Sequence, residues 1–181
     1  MNSVEPIKDK KIVRNLIEYF KKNNERNSIL FLMGIYTGLR ISDILKLNIR
    51  DVAGKKSLNI RDNKTNKINR LEFNHELKKA LDHYTREKEP GEYLIKSRNG
   101  KNGPITRGQA YKILKKAAKV HGLNNIGVHS MRKTFGYHLY KQTKDIVQVQ
   151  KALNHGDPSY TRYYIGIDSE IVNKSIKQLR Y

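Results

Sequence analysis

The chain has 181 residues, enough for one domain with a hydrophobic core and too few for two full ones. Lys and Arg number 37 against 17 Asp and Glu, a formal net charge of +20 that favours a polyanionic partner. Nucleic acid is the leading candidate, and an anionic membrane surface is the other option. The sequence has no cysteine, which excludes disulfides and thiolate zinc sites. No stretch reaches the ~20 apolar residues of a membrane span and no signal peptide opens the chain, so we expect a cytoplasmic protein.

The first third of the chain predicts helices followed by a small sheet. Apolar residues recur at helical spacing over 9–24 and 28–37, and the second of these helices should end near Gly38. A short helix is expected over 40–47. Residues 55–73 contain two short, partly alternating segments around the polar turn NKTNK, which predicts a β-hairpin.

The remaining two thirds of the chain predict further helices, with start and stop signals that bound them. TRGQ at Thr106 matches a capping box, in which Gln109 is the third helical residue. The expected helices are a segment from Asn74 that ends before Pro90, one from Thr106 closed by Gly122, two over 128–141 and 145–153, one from Asp157-Pro158, and an amphipathic tail over 168–179. The fold class is therefore mostly α with a small antiparallel β-sheet, an α+β arrangement.

Two short segments carry basic residues suited to holding a phosphate. In TGLRISDIL, Arg40 lies between a helix-ending glycine and a new helix start, where backbone N–H groups favour anions and a guanidinium adds a bidentate grip. An exposed surface charge is the alternative. In VHSMRKTFG, His129 and Arg132 are three positions apart and project from nearly one helix face. The alternative here is a histidine bonded to a backbone carbonyl, beside an unrelated arginine.

Three further residues are candidates for chemistry. Lys64 lies in the hairpin turn, either as a soluble turn residue or as a mobile proton donor. His155, in LNHGDPS, either caps a turn between helices or joins a site. RYYIG places Tyr163 and Tyr164 side by side, and a tyrosine nucleophile needs neighbours that stabilise its phenolate, because the ordinary pKa of phenol is about 10.

Several other catalytic schemes lack their residues in this chain. There is no P-loop and no dinucleotide glycine fingerprint. The six histidines show no HExxH or paired metal-ligand spacing, and the acidic residues form no cluster. We expect no metal and no cofactor, which disfavours a metal-dependent nuclease.

The order of these segments resembles the catalytic domain of tyrosine recombinases, the phage integrase family. TGLRISDIL, the NKTNK turn, VHSMRKTFG and LNHGDPSYTRYYIG match the family's blocks, and the resemblance covers roughly residues 8–167. It implies the family's fold and assigns six catalytic residues: Arg40, Lys64, His129, Arg132, His155 and Tyr164. Tyr164 is selected as the nucleophile because it stands nine residues after the histidine of the last block.

The resemblance also implies a reaction. The tyrosine attacks a DNA phosphate and forms a 3′-phosphotyrosyl link, the two arginines and two histidines stabilise the phosphate, and Lys64 protonates the departing 5′-oxygen. Double-stranded DNA is the expected partner. The resemblance therefore implies a site-specific DNA recombinase or integrase that needs no metal. The alternatives are a non-catalytic DNA-binding regulator on the same fold and a nicking-resealing enzyme like a type IB topoisomerase.

The expected domain organisation is one catalytic domain over 1–181. It comprises an N-terminal arm (1–8), a core (9–167) with the hairpin, and a tail helix (168–181). The family's N-terminal DNA-clamping domain has no counterpart here, so the chain is a natural single-domain protein, a cropped one or a remnant. Val172, Ile176 and Leu179 form an apolar stripe, and from the family we expect the tail to join protomers on DNA, although packing on its own domain is the alternative.

Overall fold

A computed structural model describes residues 4–61 and 68–180. This part of the chain is mostly helical with one two-stranded antiparallel sheet, so the predicted fold class is confirmed. The elements in chain order are α1 (Lys10–Asn23), α2 (Glu25–Thr37), α3 (Ile41–Ile44), α4 (Ile49–Val52), β1 (Ser57–Arg61), β2 (Ile68–Glu72), α5 (His75–Thr85), α6 (Arg107–Val120), α7 (Val128–Thr143), α8 (Ile146–Leu153), α9 (Pro158–Ile165) and α10 (Ile167–Lys177).

Side-chain caps explain where several helices begin. The Asn24 side chain accepts a hydrogen bond from the backbone N–H of Asn27 at 3.0 Å, and α2 therefore starts three residues before the predicted Ser28. The predicted capping box of α6 is present: Thr106 and Gln109 exchange hydrogen bonds of 2.8 and 3.1 Å. Asp157 caps α9, whose first residue is Pro158, as expected.

One short helix was not predicted. Helix α4 has four residues, too few for helical periodicity to appear in the sequence. The N–H of Asn48 caps it locally by donating to the Asp51 carboxylate at 2.8 Å, and the N–H of Ile49 donates at 2.8 Å to the carbonyl of Glu92, outside the helix. The contact with Glu92 is long-range, so tertiary structure decides this element.

The predicted hairpin is confirmed as a pair of strands. Strands β1 and β2 pair from Ser57 opposite Glu72 to Arg61 opposite Ile68. Leu58 is buried in the core and anchors the hairpin to the helices. The turn between the strands, which contains Lys64, lies outside the described residues.

The buried apolar side chains form two clusters. The large core is built mainly by α1, α2, α5 and α6, with Leu30, Leu32 and Met33 at its centre. The small core comprises Tyr137, Val149, Leu153, Ile165 and Ile167 from α7–α10. Helix α7 borders both, since its first turn packs in the large core and Tyr137 belongs to the small core.

The predicted tail is helical from Ile167 to Lys177. Its first residue is buried in the small core, whereas the apolar side chains that follow lie open to solvent. Val172, Ile176 and Leu179 are 55%, 57% and 57% exposed. Val172 and Ile176 of the expected stripe thus lie on α10 and Leu179 just after it, and all three are more than half exposed.

Candidate active site

Arg132 joins three segments of the site. Its guanidinium donates one hydrogen bond to the carbonyl of Gly38 and another to the carbonyl of Leu153. The side chain is only 6% exposed. Gly38 leads directly to Arg40, and Leu153 lies two residues before His155. One buried cation on α7 therefore holds the two segments that carry other candidate residues, because its planar fork can serve both carbonyls at once.

Arg40 is exposed at the start of α3 and reaches this group through a tight turn. Gly38, with φ 65°, ends α2 in the left-handed conformation, and a Cβ there would meet the ring of Phe135 at 2.4 Å. Only glycine fits both conditions. The chain can then turn sharply. Burial is the main cause of the lowered pKa of Arg132, His129 and His155, and the positive charge of Arg40 adds to that lowering in each.

His155 is held by the first turn of α9. Its Nδ1 lies 3.1 Å from the hydroxyl of Thr161, and that hydroxyl donates to the carbonyl of Asp157 at 3.0 Å. The hydroxyl therefore accepts from Nδ1–H, which leaves Nε2 as the unprotonated nitrogen of the neutral ring. Burial, followed by the charges of Arg132 and Arg40, lowers the pKa of His155 to about 4. The ring is thus neutral at pH 7 when DNA is absent.

Tyr164 is the half-buried member of the tyrosine pair. Its phenol lies close enough to the Arg132 guanidinium for the two groups to interact, and its ring meets His155 edge-on with 5.0 Å between centroids. Burial raises the pKa of the phenol, while Arg132 and Arg40 oppose that rise by favouring the phenolate. Tyr163 is 72% exposed. The two side chains of RYYIG therefore have different surroundings, as the roughly 100° rotation between successive helical residues requires.

His129 completes the cluster from the first turn of α7. Its Nε2 lies 3.1 Å from a terminal nitrogen of Arg107, the first residue of α6. Burial, followed by the charge of Arg107, lowers the pKa of His129. Among the candidate residues that the structure describes, Arg40, His129, Arg132, His155 and Tyr164 are thus brought together, whereas Lys64 lies outside the described residues.

A concentrated positive charge beside a tyrosine hydroxyl suits one kind of chemistry. Guanidinium groups bind the oxygens of a phosphate and offset the negative charge that builds up during its transfer. Residues 8–170 match the model of the phage integrase family over most of the chain. The chain belongs to the phage integrase family.

Relatives of this phage integrase chain differ in length. A protein described as "Probable integrase/recombinase YoeC" of Bacillus subtilis strain 168 is 42% identical over 177 residues, covering 98% of this chain and 97% of the relative. The tyrosine recombinase XerC of Staphylococcus epidermidis is 29% identical over 168 residues, covering 87% of this chain and 55% of XerC. The chain thus spans almost all of one relative and about half of the other.

Solved structures share the fold of this phage integrase chain. The XerA recombinase matches with a TM-score of 0.76 at 22% identity, over 98% of this chain and 67% of XerA. The XerH recombinase, solved in a post-cleavage complex with its difH DNA substrate, matches with a TM-score of 0.73 at 22% identity. That match covers 98% of this chain and 54% of XerH, and it supports the predicted recombinase catalytic-domain fold.

Sequence reasoning missed four residues around this phage integrase site. Arg107 contacts His129, and Thr161 holds His155. The ring of Tyr160 lies 5.1 Å from that of His155 and 5.9 Å from that of Tyr164, and the Lys133 ammonium lies 5.1 Å from the centre of the Tyr164 ring. Each lies near a predicted residue in the chain or at a helix start, but sequence position alone does not indicate a contact.

Residues 4–61 and 68–180 offer neither a metal-ion cluster nor a membrane-spanning helix. In these segments no three histidine, cysteine or acidic side chains group together in a way that could hold a metal ion. No helix there combines the length and the apolar character needed to cross a membrane.

Proposed function

We propose that this chain is a site-specific tyrosine recombinase that cleaves and rejoins DNA strands, with Tyr164 as its nucleophile. The observation that carries the proposal is the Tyr164 ring packed edge-on against His155 at 5.0 Å, near the buried guanidinium of Arg132. If Arg40 and Arg132 bind a phosphate, the hydroxyl of Tyr164 lies beside it, where it can attack the phosphorus.

The reaction begins when the Tyr164 oxygen attacks the scissile phosphorus. The bond to the 5′-oxygen breaks, and the 3′-phosphate stays on the enzyme as a phosphotyrosine ester. Arg40 and Arg132 bind the non-bridging oxygens, whose charge increases in the transition state. The phenol loses its proton and the departing oxygen gains one. The phosphotyrosine ester keeps the energy of the broken phosphodiester bond. The 5′-hydroxyl of a second strand can therefore attack the ester, release the tyrosine and join a new strand.

The histidines serve as hydrogen-bond donors to the same phosphate. His155 has an unprotonated Nε2 in the DNA-free chain, and an arriving phosphate favours proton binding there because opposite charges attract. His129 lies on α7, three residues before Arg132. We propose His129 and His155 as the donors that complete the binding of the phosphate oxygens.

Substitution of the two adjacent tyrosines tests the nucleophile. Phenylalanine keeps the ring and removes only the oxygen, so Tyr164→Phe should bind DNA and form no covalent adduct, whereas Tyr163→Phe should still form one. The measurement is a denaturing gel of protein incubated with a labelled, nicked suicide substrate in the presence of a chelator. An adduct that survives in Tyr164→Phe and is lost in Tyr163→Phe would refute the assignment. No adduct with the unmutated chain on its DNA site would favour a DNA-binding regulator.

We propose Lys64 as the acid that protonates the 5′-oxygen. The residue belongs to a polar segment, so Lys64→Ala should change the free energy of unfolding by no more than about 0.5 kcal/mol. Loss of a general acid should slow adduct formation about 10²–10⁴-fold. A substrate with sulfur in place of the bridging 5′-oxygen has a leaving group that needs no proton. Equal defects of Lys64→Ala on both substrates would exclude this role.

Duplex DNA is the proposed partner, and the tail is the proposed contact between protomers. The net charge of +20 supports salt-sensitive binding to the phosphates of DNA. We propose that this binding takes place in the cytoplasm, at the nucleoid. Ile171, Val172, Ile176 and Leu179 are each at least 43% exposed on the tail, so a second protomer could bury them. Deletion of residues 168–181 should abolish assembly of several protomers on DNA in a gel-shift or sedimentation measurement. Unchanged assembly with a less stable monomer would contradict this.

We further propose that the chain acts as one catalytic domain. Residues 9–167 would form the core that holds the site. Binding by this chain alone should then be weak and poorly sequence-specific. Affinity should fall with salt with a slope near −0.9 per phosphate contact on a plot of log affinity against log salt. A shallow slope with tight, site-selective binding would contradict this.

A further inference from the structure

Arg107 makes a contact that none of the assigned roles uses. Its Nη2 lies 3.1 Å from Nε2 of His129, twenty-two residues further along the chain. The contact joins the first residue of α6 to the first turn of α7. The capping box of Thr106 and Gln109 holds the start of α6 in place, so the guanidinium projects from a rigid point.

The chemistry of this pair permits one proton arrangement. A guanidinium has five N–H donors and no acceptor, and it stays charged at any pH at which the protein is folded. Nε2 of His129 must therefore be the acceptor and carry no proton. The imidazole is then neutral, and its single proton is on Nδ1, the ring nitrogen that remains able to donate.

We propose that Arg107 is a positioning residue for the cleavage reaction, which holds His129 as the neutral imidazole with its proton on Nδ1. His129 then donates from Nδ1, as a neutral group and not as an imidazolium. The functional consequence rests on the proposed recombinase activity, whereas the proton arrangement itself can be measured without DNA.

The charges around His129 all favour the same state. Arg107 approaches from α6, Arg132 and Lys133 lie on α7 with it, and Arg40 approaches from the start of α3. Each is a cation and each opposes a second proton on the ring. Burial acts in the same direction and is the largest cause of the lowered pKa of His129. The direct hydrogen bond from Arg107 also decides which ring nitrogen of His129 carries the single proton. The surrounding charges alone do not decide this.

Nitrogen NMR of the full chain tests the proton arrangement. Long-range ¹H–¹⁵N correlation spectra distinguish a protonated from an unprotonated ring nitrogen, and His129→Gln assigns the signals. In the unmutated, DNA-free chain at neutral pH we expect His129 with Nδ1 protonated and Nε2 bare. In Arg107→Gln the ring should become a mixture of both forms, and its pKa should rise because one neighbouring cation is gone. Lys112→Gln, an exposed position on α6, removes the same charge without this contact.

Two results would overturn the proposal. One is a proton on Nε2 of His129 in the unmutated chain. The other is an Arg107→Gln variant whose His129 signals and titration match those of the Lys112→Gln control. Both measurements stand even if the chain forms no covalent adduct with DNA, so failure of the recombinase assignment is distinguishable from failure of this inference.

The cleavage reaction gives the functional readout. Loss of an orienting partner typically costs about 10–100-fold, so Arg107→Gln should slow adduct formation by this amount at neutral pH. The acidic limb of the pH–rate profile should also move to higher pH, because His129 becomes easier to protonate. Arg107→Lys keeps the charge and the donor and should retain most of the rate. A slower reaction with an unmoved acidic limb would mean that Arg107 only binds DNA, against the proposal.

Discussion

The two apolar cores of this phage integrase chain contribute unequally to the site. The large core includes the buried helix α2 and supports the turn to Arg40 as well as the start of α7, which carries His129. The small core is formed by a few side chains of α7–α10 and supports His155 and Tyr164. Tyr164, the proposed nucleophile, and the neighbouring His155 therefore lie on the part of the molecule with less buried apolar surface, where local opening costs less free energy.

Arg132 connects the two regions. Its hydrogen bonds run to Gly38 on the large-core side and to Leu153 in the small core. The same group is a proposed phosphate ligand, so under this proposal the alignment of Tyr164 with the phosphate depends on one buried cation. Substitutions in either core, or at the connection, should consequently have different effects on stability and on cleavage.

The largest effect is expected from breaking the connection. Arg132→Ala leaves two buried carbonyls without a partner, at about 1–3 kcal/mol each, and removes a cation from the phosphate site. Adduct formation should fall about 10³-fold or more, as for other arginines that stabilise a transferring phosphate. Denaturant unfolding and the suicide-substrate gel measure the two effects.

Arg132→Lys is the matched control for the connection. Lysine keeps the charge but cannot bond both carbonyls in a planar fork, so it should recover little of the activity. A lysine variant with normal adduct formation would show that the charge matters and the connection does not.

A smaller effect is expected from one added methyl group in each core. A Cβ on Gly136 would lie 2.7 Å from Ile165, the residue after Tyr164, and a Cβ on Gly34 would lie 2.6 Å from Met131 in the large core. Each alanine variant should lose about 1–3 kcal/mol of unfolding free energy. Gly136→Ala should slow adduct formation more than Gly34→Ala, because only it displaces α9.

Gly108→Ala is the control for the added methyl group. Gly108 lies in the first turn of α6, and the nearest atom to its Cβ would be the Thr106 hydroxyl at 3.8 Å. Alanine there should stabilise the helix by up to about 1 kcal/mol. Equal slowing of cleavage in Gly34→Ala and Gly136→Ala would show that the small core does not position Tyr164 by itself.

The smallest effect is expected from lowering the pH, which should destabilise the small core. The pKa of His155 is about 4 in the folded chain and about 6.5 in the unfolded one, so the unfolded state binds the proton more readily. The contribution of His155 to stability is thus present above pH ~6.5 and is lost as the pH falls towards 4. Amide hydrogen exchange should show α8 and α9 losing protection over this range before α2 does.

His155→Gln should weaken this pH dependence, because it removes the titrating ring. The exposed His75 at the start of α5 provides the comparison, and His75→Gln should leave the difference between α8–α9 and α2 unchanged. Loss of protection at the same pH in both regions would contradict a small core that opens separately.

The sequence predicted much of the secondary structure because helix signals are local. The cap at Thr106, the proline at the start of α9 and the glycine after α2 each act within a few residues, and each was read correctly. Helix α4 escaped prediction since a contact with Glu92 holds it. The assignment of Tyr164 came from a resemblance in spacing, and no property of the two tyrosines in RYYIG distinguishes them by itself.

By itself, the sequence predicted a polyanionic partner and determined the order of the elements and the residue types available for phosphate chemistry, since charge, periodicity and capping depend on neighbours along the chain. Only the tertiary structure decided which groups meet. It brought Arg107 into contact with His129 and Thr161 into contact with His155. It also directed the two hydrogen bonds of Arg132 to carbonyls in different cores. These contacts determine protonation and alignment, and they depend on distances between segments that approach each other only when both cores are packed.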